Sequence, residues 1–166
     1  MSDDPAFDRA VAAVLAHEGG LVDDPADPGG ITNHGISLRS YPELGAAGIR
    51  ALTPEQAAEI YRRDWWQRNG WAELPAAVGA KILDIGVNIG VESVHRALQR
   101  ALRATGAAVA EDGSLGPQTR AAVARADVSA LLAAFRSEVA GHYRLIAALH
   151  PAAERFLEGW LARAYG

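Results

Sequence analysis

Between Gly19 and Gly35, ten of the seventeen residues are Gly, Pro or Asp. No helix tolerates that composition, so a structured loop or small hairpin has to interrupt a chain that is otherwise patterned for helices. Ahead of it, Asp4 can cap a helix whose first residue is Pro5, with Phe7, Val11, Val14 and Leu15 at helical spacing and Gly19-Gly20 as its stop. Behind it, Ile36 and Leu38 fit a short strand. Thr53-Pro54-Glu55-Gln56 then combines an N-cap, a proline at the first helical position and a capping-box glutamine, opening a helix that runs to about Arg68. After Pro75 the stripe Val78, Ile82, Ile85, Ile89 gives another helix, and Val94, Leu98 and Leu102 begin the next near Ser93. Asp112-Gly113 and Gly116-Pro117 bracket a turn, and helices over 117–126, 128–149 and 151–165 complete the chain, the last packing through Phe156, Trp160 and Leu161. The expected fold is mainly α with one small β-hairpin or loop element. At 166 residues a chain can bury about two-thirds of its unfolded surface in one compact unit.

Composition excludes several classes of function. With no cysteine there is neither a disulfide framework nor a thiolate ligand or nucleophile, and the five histidines lack the paired spacing of a zinc site. No metal and no organic cofactor is expected. Residues 1–60 carry ten acids against three arginines, residues 61–166 ten acids against thirteen bases. Those bases are spread along helices rather than clustered, which speaks against nucleic acid as a partner. No apolar run reaches the roughly 18 residues of a membrane span. The start, Met1-Ser2-Asp3-Asp4-Pro5, is acidic where a secretory signal is basic, so synthesis in the cytoplasm without an export signal is expected.

Glu18 stands out because it is in the wrong place for an acid. It lies three residues after Leu15, four after Val14 and seven after Val11, on the apolar stripe of the first helix. It also falls in the last turn, where the helix dipole disfavours an anion. Both effects favour the protonated form that a general acid requires; a frayed helix end with a solvated Glu fits the same position. Asp27 follows nine residues later and Thr32 five after that, in a loop stiffened by Pro25 and Pro28. An inverting glycosidase needs a protonated acid on one side of the sugar and a water-positioning group on the other, about 6.5–9.5 Å apart. A helix-end Glu facing a rigid loop Asp can supply that, though Asp before Pro and Gly equally serves as an Asx-turn residue.

The run from Glu18 to Ser37, Glu-Gly-Gly-Leu-Val-Asp-Asp-Pro-Ala-Asp-Pro-Gly-Gly-Ile-Thr-Asn-His-Gly-Ile-Ser, resembles the signature of glycoside hydrolase family 108. The likeness continues through Tyr61, Trp65-Trp66, the Asp-x-x-x-Asn-x-Gly pattern from Asp84 to Gly90, Leu98-Gln99 and the Asp112-Gly113 to Thr119 stretch. It ends on Phe156 to Arg163, the last part resembling the peptidoglycan-binding segment that accompanies such enzymes. Two departures stand in the signature: Leu21 and His34 occupy positions where the family usually has Tyr.

The resemblance implies a lysozyme-like fold, with a catalytic segment over 1–90 and a helical, peptidoglycan-binding segment over 91–166 packed into the same unit. It implies an N-acetylmuramidase that cleaves the β-1,4 bond between N-acetylmuramic acid and N-acetylglucosamine in peptidoglycan glycan strands. Glu18 would be the general acid, while Asp27, Thr32 or both would hold the attacking water or stabilise the developing oxocarbenium charge. Asp84 and Asn88, four apart on one helical face, would bind sugar hydroxyls or acetamido groups, or else form a helix-end network. Tyr61, Trp65 and His34 are the remaining candidates for substrate contact, with Trp66 and Trp71 alternatives for stacking or core. His95, His142 and His150 show no catalytic spacing. A monomer is expected, acting at the cell wall or periplasm after delivery by a holin or secretion system. A lytic transglycosylase and a non-catalytic wall-binding or phage structural protein are the competing readings.

Overall fold

A computed structural model of the protein describes residues 4–23 and 30–166. Helix α1 spans Pro5–Glu18 and opens at Asp4, whose Oδ1 accepts the backbone N–H of Ala6 at 3.1 Å and of Phe7 at 3.0 Å, donors that the first turn leaves without helical acceptors. The bond from Phe7 is the main cause that holds the Asp4 carboxyl below its ordinary value. Asp4 Oδ2 accepts the Trp66 indole N–H at 2.8 Å, so one carboxylate both caps α1 and ties it to a distant indole. Phe7, Ala10, Val11 and Val14 are buried, as their spacing requires.

The Gly-rich stretch does form a hairpin. Strands β1 (Thr32–Asn33) and β2 (Ile36–Ser37) pair antiparallel, Thr32 opposite Ser37 and Asn33 opposite Ile36. His34 and Gly35 join them at φ 52° and 78°, the two positive values of a type I′ turn. Val22 pairs with Thr32, which lays the chain leaving α1 along the hairpin. Asn33 is buried and its side-chain N–H₂ donates to the carbonyls of Ile49 at 3.0 Å and Leu52 at 3.1 Å. The hairpin is thereby fixed to α2 (Gly45–Arg50), a helix too short to leave a periodic trace in sequence.

Helix α3 (Pro54–Tyr61) opens with the expected capping box: Thr53 N–H donates to Gln56 Oε1 at 2.9 Å and Gln56 N–H to Thr53 Oγ1 at 3.2 Å. It does not run to Arg68 as one α-helix. Arg62–Gln67 widens into a π-helical segment, a feature frequent at functional sites. Within it Trp66 is buried with its ring 5.7 Å from that of Phe7, and Trp65 stays half-buried.

Helix α4 (Ala76–Ile89) buries Val78, Ile82, Leu83 and Ile85 and packs chiefly against α1. Gly79 and Gly86 let two indoles lie directly on it; a Cβ at Gly86 would come within 2.8 Å of the Trp71 ring, and one at Gly79 within 2.9 Å of Trp66. Helix α5 (Val91–Ala104) begins two residues ahead of Ser93, directly after Gly90 at φ 86°. Helices α6 (Pro117–Arg125) and α7 (Val128–Leu149) follow, α7 capped by Asp127, which accepts from Ala130 N–H at 2.8 Å. The last helix, α8 (Leu157–Tyr165), is preceded by a 3-10 turn over Pro151–Phe156 in place of one continuous helix from 151. α7 packs against α5 and α8, and α8 returns to α4, where the Lys81 ammonium donates to the Arg163 carbonyl at 2.6 Å. The architecture is mainly α and lysozyme-like, with a single two-stranded sheet among the described residues. Among those residues no helix is long and apolar enough to cross a membrane.

Candidate active site

Glu18 is the last residue of α1 and lines an open cleft of about 820 Å3, within the size range of sites that enclose small ligands. Gly35 packs on its side chain: a Cβ there would come within 2.9 Å of Glu18 Cγ and closer still to the Tyr61 hydroxyl. The positive φ of the hairpin turn and this close approach both call for glycine. The Tyr61 hydroxyl donates to the His34 carbonyl at 3.1 Å. Burial, reinforced by the nearby Glu18 charge, pushes that phenol well above its ordinary value, so it acts as a neutral donor that locks the turn.

Behind Glu18 lies a network of charges. Arg163 on α8 donates one N–H to Glu18 Oε1 at 3.0 Å and its Nε–H to Asp84 Oδ1 at 3.0 Å. Lys81 donates to Asp84 Oδ2 at 3.2 Å, and His17 Nδ1 lies 3.2 Å from Asp84 Oδ1. The side chains of Arg163 and Asp84 are only 10% and 8% exposed. Burial works against the Arg163 charge, but Asp84 and Glu18 outweigh it and hold the guanidinium above its ordinary value. For Lys81 burial wins, and the ammonium sits below its ordinary value despite Asp84. Two carboxylates facing two bases satisfy the rule that buried charges are paired.

The cleft wall opposite is built by the π segment. Trp65 and Tyr61 line it together with Tyr41, Asp64, Arg68 and Asn69. Arg63 grips Asp64 with two bonds of 2.7 and 2.6 Å, and that contact holds the Asp64 carboxyl below its ordinary value. Burial first, then the Asp64 charge, raises the Tyr41 phenol. Aromatic faces beside amide, carboxylate and guanidinium groups suit a polyhydroxylated ring with an apolar face. Among the described residues no group of His, Asp or Glu is placed to hold a metal ion.

Of the candidates from sequence, Glu18, Tyr61 and Trp65 meet at this cleft. Thr32 sits on β1, its backbone engaged with Val22 at 2.7 and 2.9 Å, and it does not line the cleft. Asp27 lies outside the described residues. Asp84 corrects the expectation of a sugar contact: it is buried behind Glu18 with both oxygens engaged by Lys81, Arg163 and His17. Asn88 also lies off the cleft, its Oδ1 accepting from the Tyr143 hydroxyl at 2.8 Å, and His34 reaches the site only through its carbonyl. Trp66 and Trp71 are core.

Sequence reading passed over Tyr41, Asp64, Lys81 and Arg163. For Arg163 a signal existed. It falls three residues after Trp160 and beside buried Ala164, a base on the apolar face of its helix just as Glu18 is an acid on the apolar face of α1.

The family model described as Glycosyl hydrolase 108 matches residues 11–90, and the one described as Predicted Peptidoglycan domain matches residues 94–165. Among solved structures the chain is similar to SagA of Brucella abortus, with 28% sequence identity and a TM-score of 0.72 over 96% of this chain and 93% of that one. No curated protein matches the chain.

Proposed function

We propose that this peptidoglycan hydrolase is an N-acetylmuramidase with Glu18 as its general acid, a reading supported by the match of residues 11–90 to the Glycosyl hydrolase 108 model and of residues 94–165 to the peptidoglycan domain. It cleaves the β-1,4 bond between N-acetylmuramic acid and N-acetylglucosamine. The observation that carries the reading is the position of Glu18: a carboxyl group at a helix end, on the floor of a cleft walled by Tyr41, Tyr61 and Trp65. Glu18 gives its proton to the glycosidic oxygen as the bond to the anomeric carbon breaks. Water adds its hydroxyl to that carbon, and its remaining proton passes to an enzyme carboxylate, so one bond is hydrolysed and one reducing end appears. Asp27 is the residue proposed to hold that water. Trp65 and Tyr41 offer ring faces to the sugars, while Asp64 and Asn69 offer an acceptor carboxylate and an amide to their hydroxyl and acetamido groups.

Mass spectrometry of the soluble fragments released from purified peptidoglycan tests the reading. The wild type is expected to release fragments with hydrated, reducible muramic-acid ends, and Glu18→Gln none. Anhydro ends would make the protein a lytic transglycosylase, and no fragments from any wall type would make it a binder.

A further inference from the structure

The residue that holds Glu18 comes from the other end of the chain. Arg163 stands 145 positions later in sequence, inside the segment matched by the peptidoglycan domain, yet its guanidinium bonds directly to the acid that lines the cleft. We infer that Arg163 is a positioning residue for the catalytic acid, and that the second segment completes the active centre rather than serving only to hold the wall. The inference rests on the muramidase reading above.

Three features of the geometry support it. The guanidinium is a planar fork whose N–H groups point in fixed directions, and here two of them fix two different carboxylates, Glu18 at 3.0 Å and Asp84 at 3.0 Å. Glu18 Oε1 is thereby engaged, and the proton for the leaving oxygen has to be carried on Oε2. The main chain that carries Arg163 is itself held, because its backbone carbonyl accepts from Lys81 at 2.6 Å and Ala164 beside it is fully buried. Positioning of this kind is what converts a general acid in a cleft into one held within hydrogen-bond reach of its target.

The charges around Glu18 come from every element packed there. His17 adjoins it on α1, Asp84 and Lys81 face it from α4, Tyr61 from α3, and Tyr143 from α7, where Arg136 also acts on Lys81. Arg163 is the one cation bonded to Glu18 among the described residues. Removing it takes away that bond, while Asp84 and Lys81 still neutralise each other.

The test compares wild type, Arg163→Lys and Arg163→Gln as full-length chains on purified peptidoglycan, measuring kcat, KM and the thermal midpoint. For folded Arg163→Gln, kcat is expected to fall about a hundredfold with KM within about twofold, the signature of an interaction spent on the transition state. Arg163→Lys keeps the charge without the fork and should lose about tenfold in kcat. A folded Arg163→Gln with the kcat of the wild type would overturn the inference, since an arginine that merely anchors α8 would change only the thermal midpoint. Should Arg163→Gln not fold, wild-type kcat in Arg163→Lys would overturn it instead. A wild type that releases no fragments counts against the muramidase reading and is told apart from both.

Discussion

Two buried polar networks of the protein differ in kind. One joins Glu18, Asp84, Lys81 and Arg163, all ionisable, and opens onto the cleft. The other joins Gln99, His95, Asp112 and Thr119 under the loop ahead of α6. There Gln99, fully buried, donates to Asp112 Oδ1 at 2.7 Å, to the Ser114 carbonyl at 2.9 Å and to Thr119 Oγ1 at 3.3 Å, and accepts the Gly113 N–H at 2.9 Å. His95 Nε2 accepts the Trp71 indole N–H at 2.9 Å, so its Nδ1 must be the donor to the Gly113 carbonyl at 3.1 Å. That pattern requires the neutral ring, in keeping with burial, which pushes His95 below its ordinary value. The second network is nearly uncharged and its bonds all serve to pin a loop. The first carries the desolvation cost of four charges, for which fold stability is a poor reason; the proposed chemistry at the cleft supplies one. Burial of a polar group therefore does not by itself mark a site. What sets the first network apart is that one of its ionisable groups, Glu18, lines an open cleft.

Substitutions can break this contrast. Glu18→Gln should lower kcat about a thousandfold or more, within the range that general acid catalysis supplies, and leave the thermal midpoint within a few degrees. Release of reducing ends against a melting curve on the same sample measures both. Gln99→Leu should do the reverse. It strands the Gly113 N–H and the Ser114 carbonyl, at about 1–3 kcal/mol each, so a loss of about 3 kcal/mol, roughly 10 °C in melting temperature, is expected with kcat per folded molecule unchanged. A catalytic defect in Gln99→Leu at temperatures where it is folded would erase the distinction between the networks.

Gly35→Ala probes the seam between hairpin and acid. Its Cβ would press on Glu18 and the Tyr61 hydroxyl at a backbone angle that costs about 1–3 kcal/mol for a side chain to adopt. Activity should fall at least about tenfold while the protein still melts cooperatively. The smallest effect is expected from pH. His95 in the fold lies below its unfolded value of about 6.5, so the neutral ring's contribution is complete above that pH and is lost as pH falls from there through the lowered value. The melting temperature should drop by a few degrees over that window, and His95→Gln should flatten the slope, leaving the part due to His142, which burial lowers in the same direction. An unchanged slope in His95→Gln would mean that the second network tolerates a charge.

Much of the fold could be read from sequence because it is local. The Asp4 cap, the Thr53 to Gln56 capping box and the stripe of α4 each depend on residues within a few positions of one another, and each forms as its spacing requires. The π segment did not show itself because Arg62 to Gln67 has ordinary helical composition. At the site, Glu18 was legible as an acid on an apolar stripe. Asp84 was misread for the same local reason, since two polar residues four apart on a helix face look alike whether they meet a sugar or an arginine.

The sequence by itself determined where several of the helices begin, where the hairpin must lie, and that an acid would stand at the end of α1. Only the tertiary structure decided which groups surround that acid. Arg163 reaches Glu18 across the length of the chain, and Trp65 and Tyr41 face it from elements whose packing is fixed by Trp66, Trp71 and the glycines of α4. Capping and periodicity are set by neighbours in the chain, whereas the partners of a buried charge are set by which helices close over it.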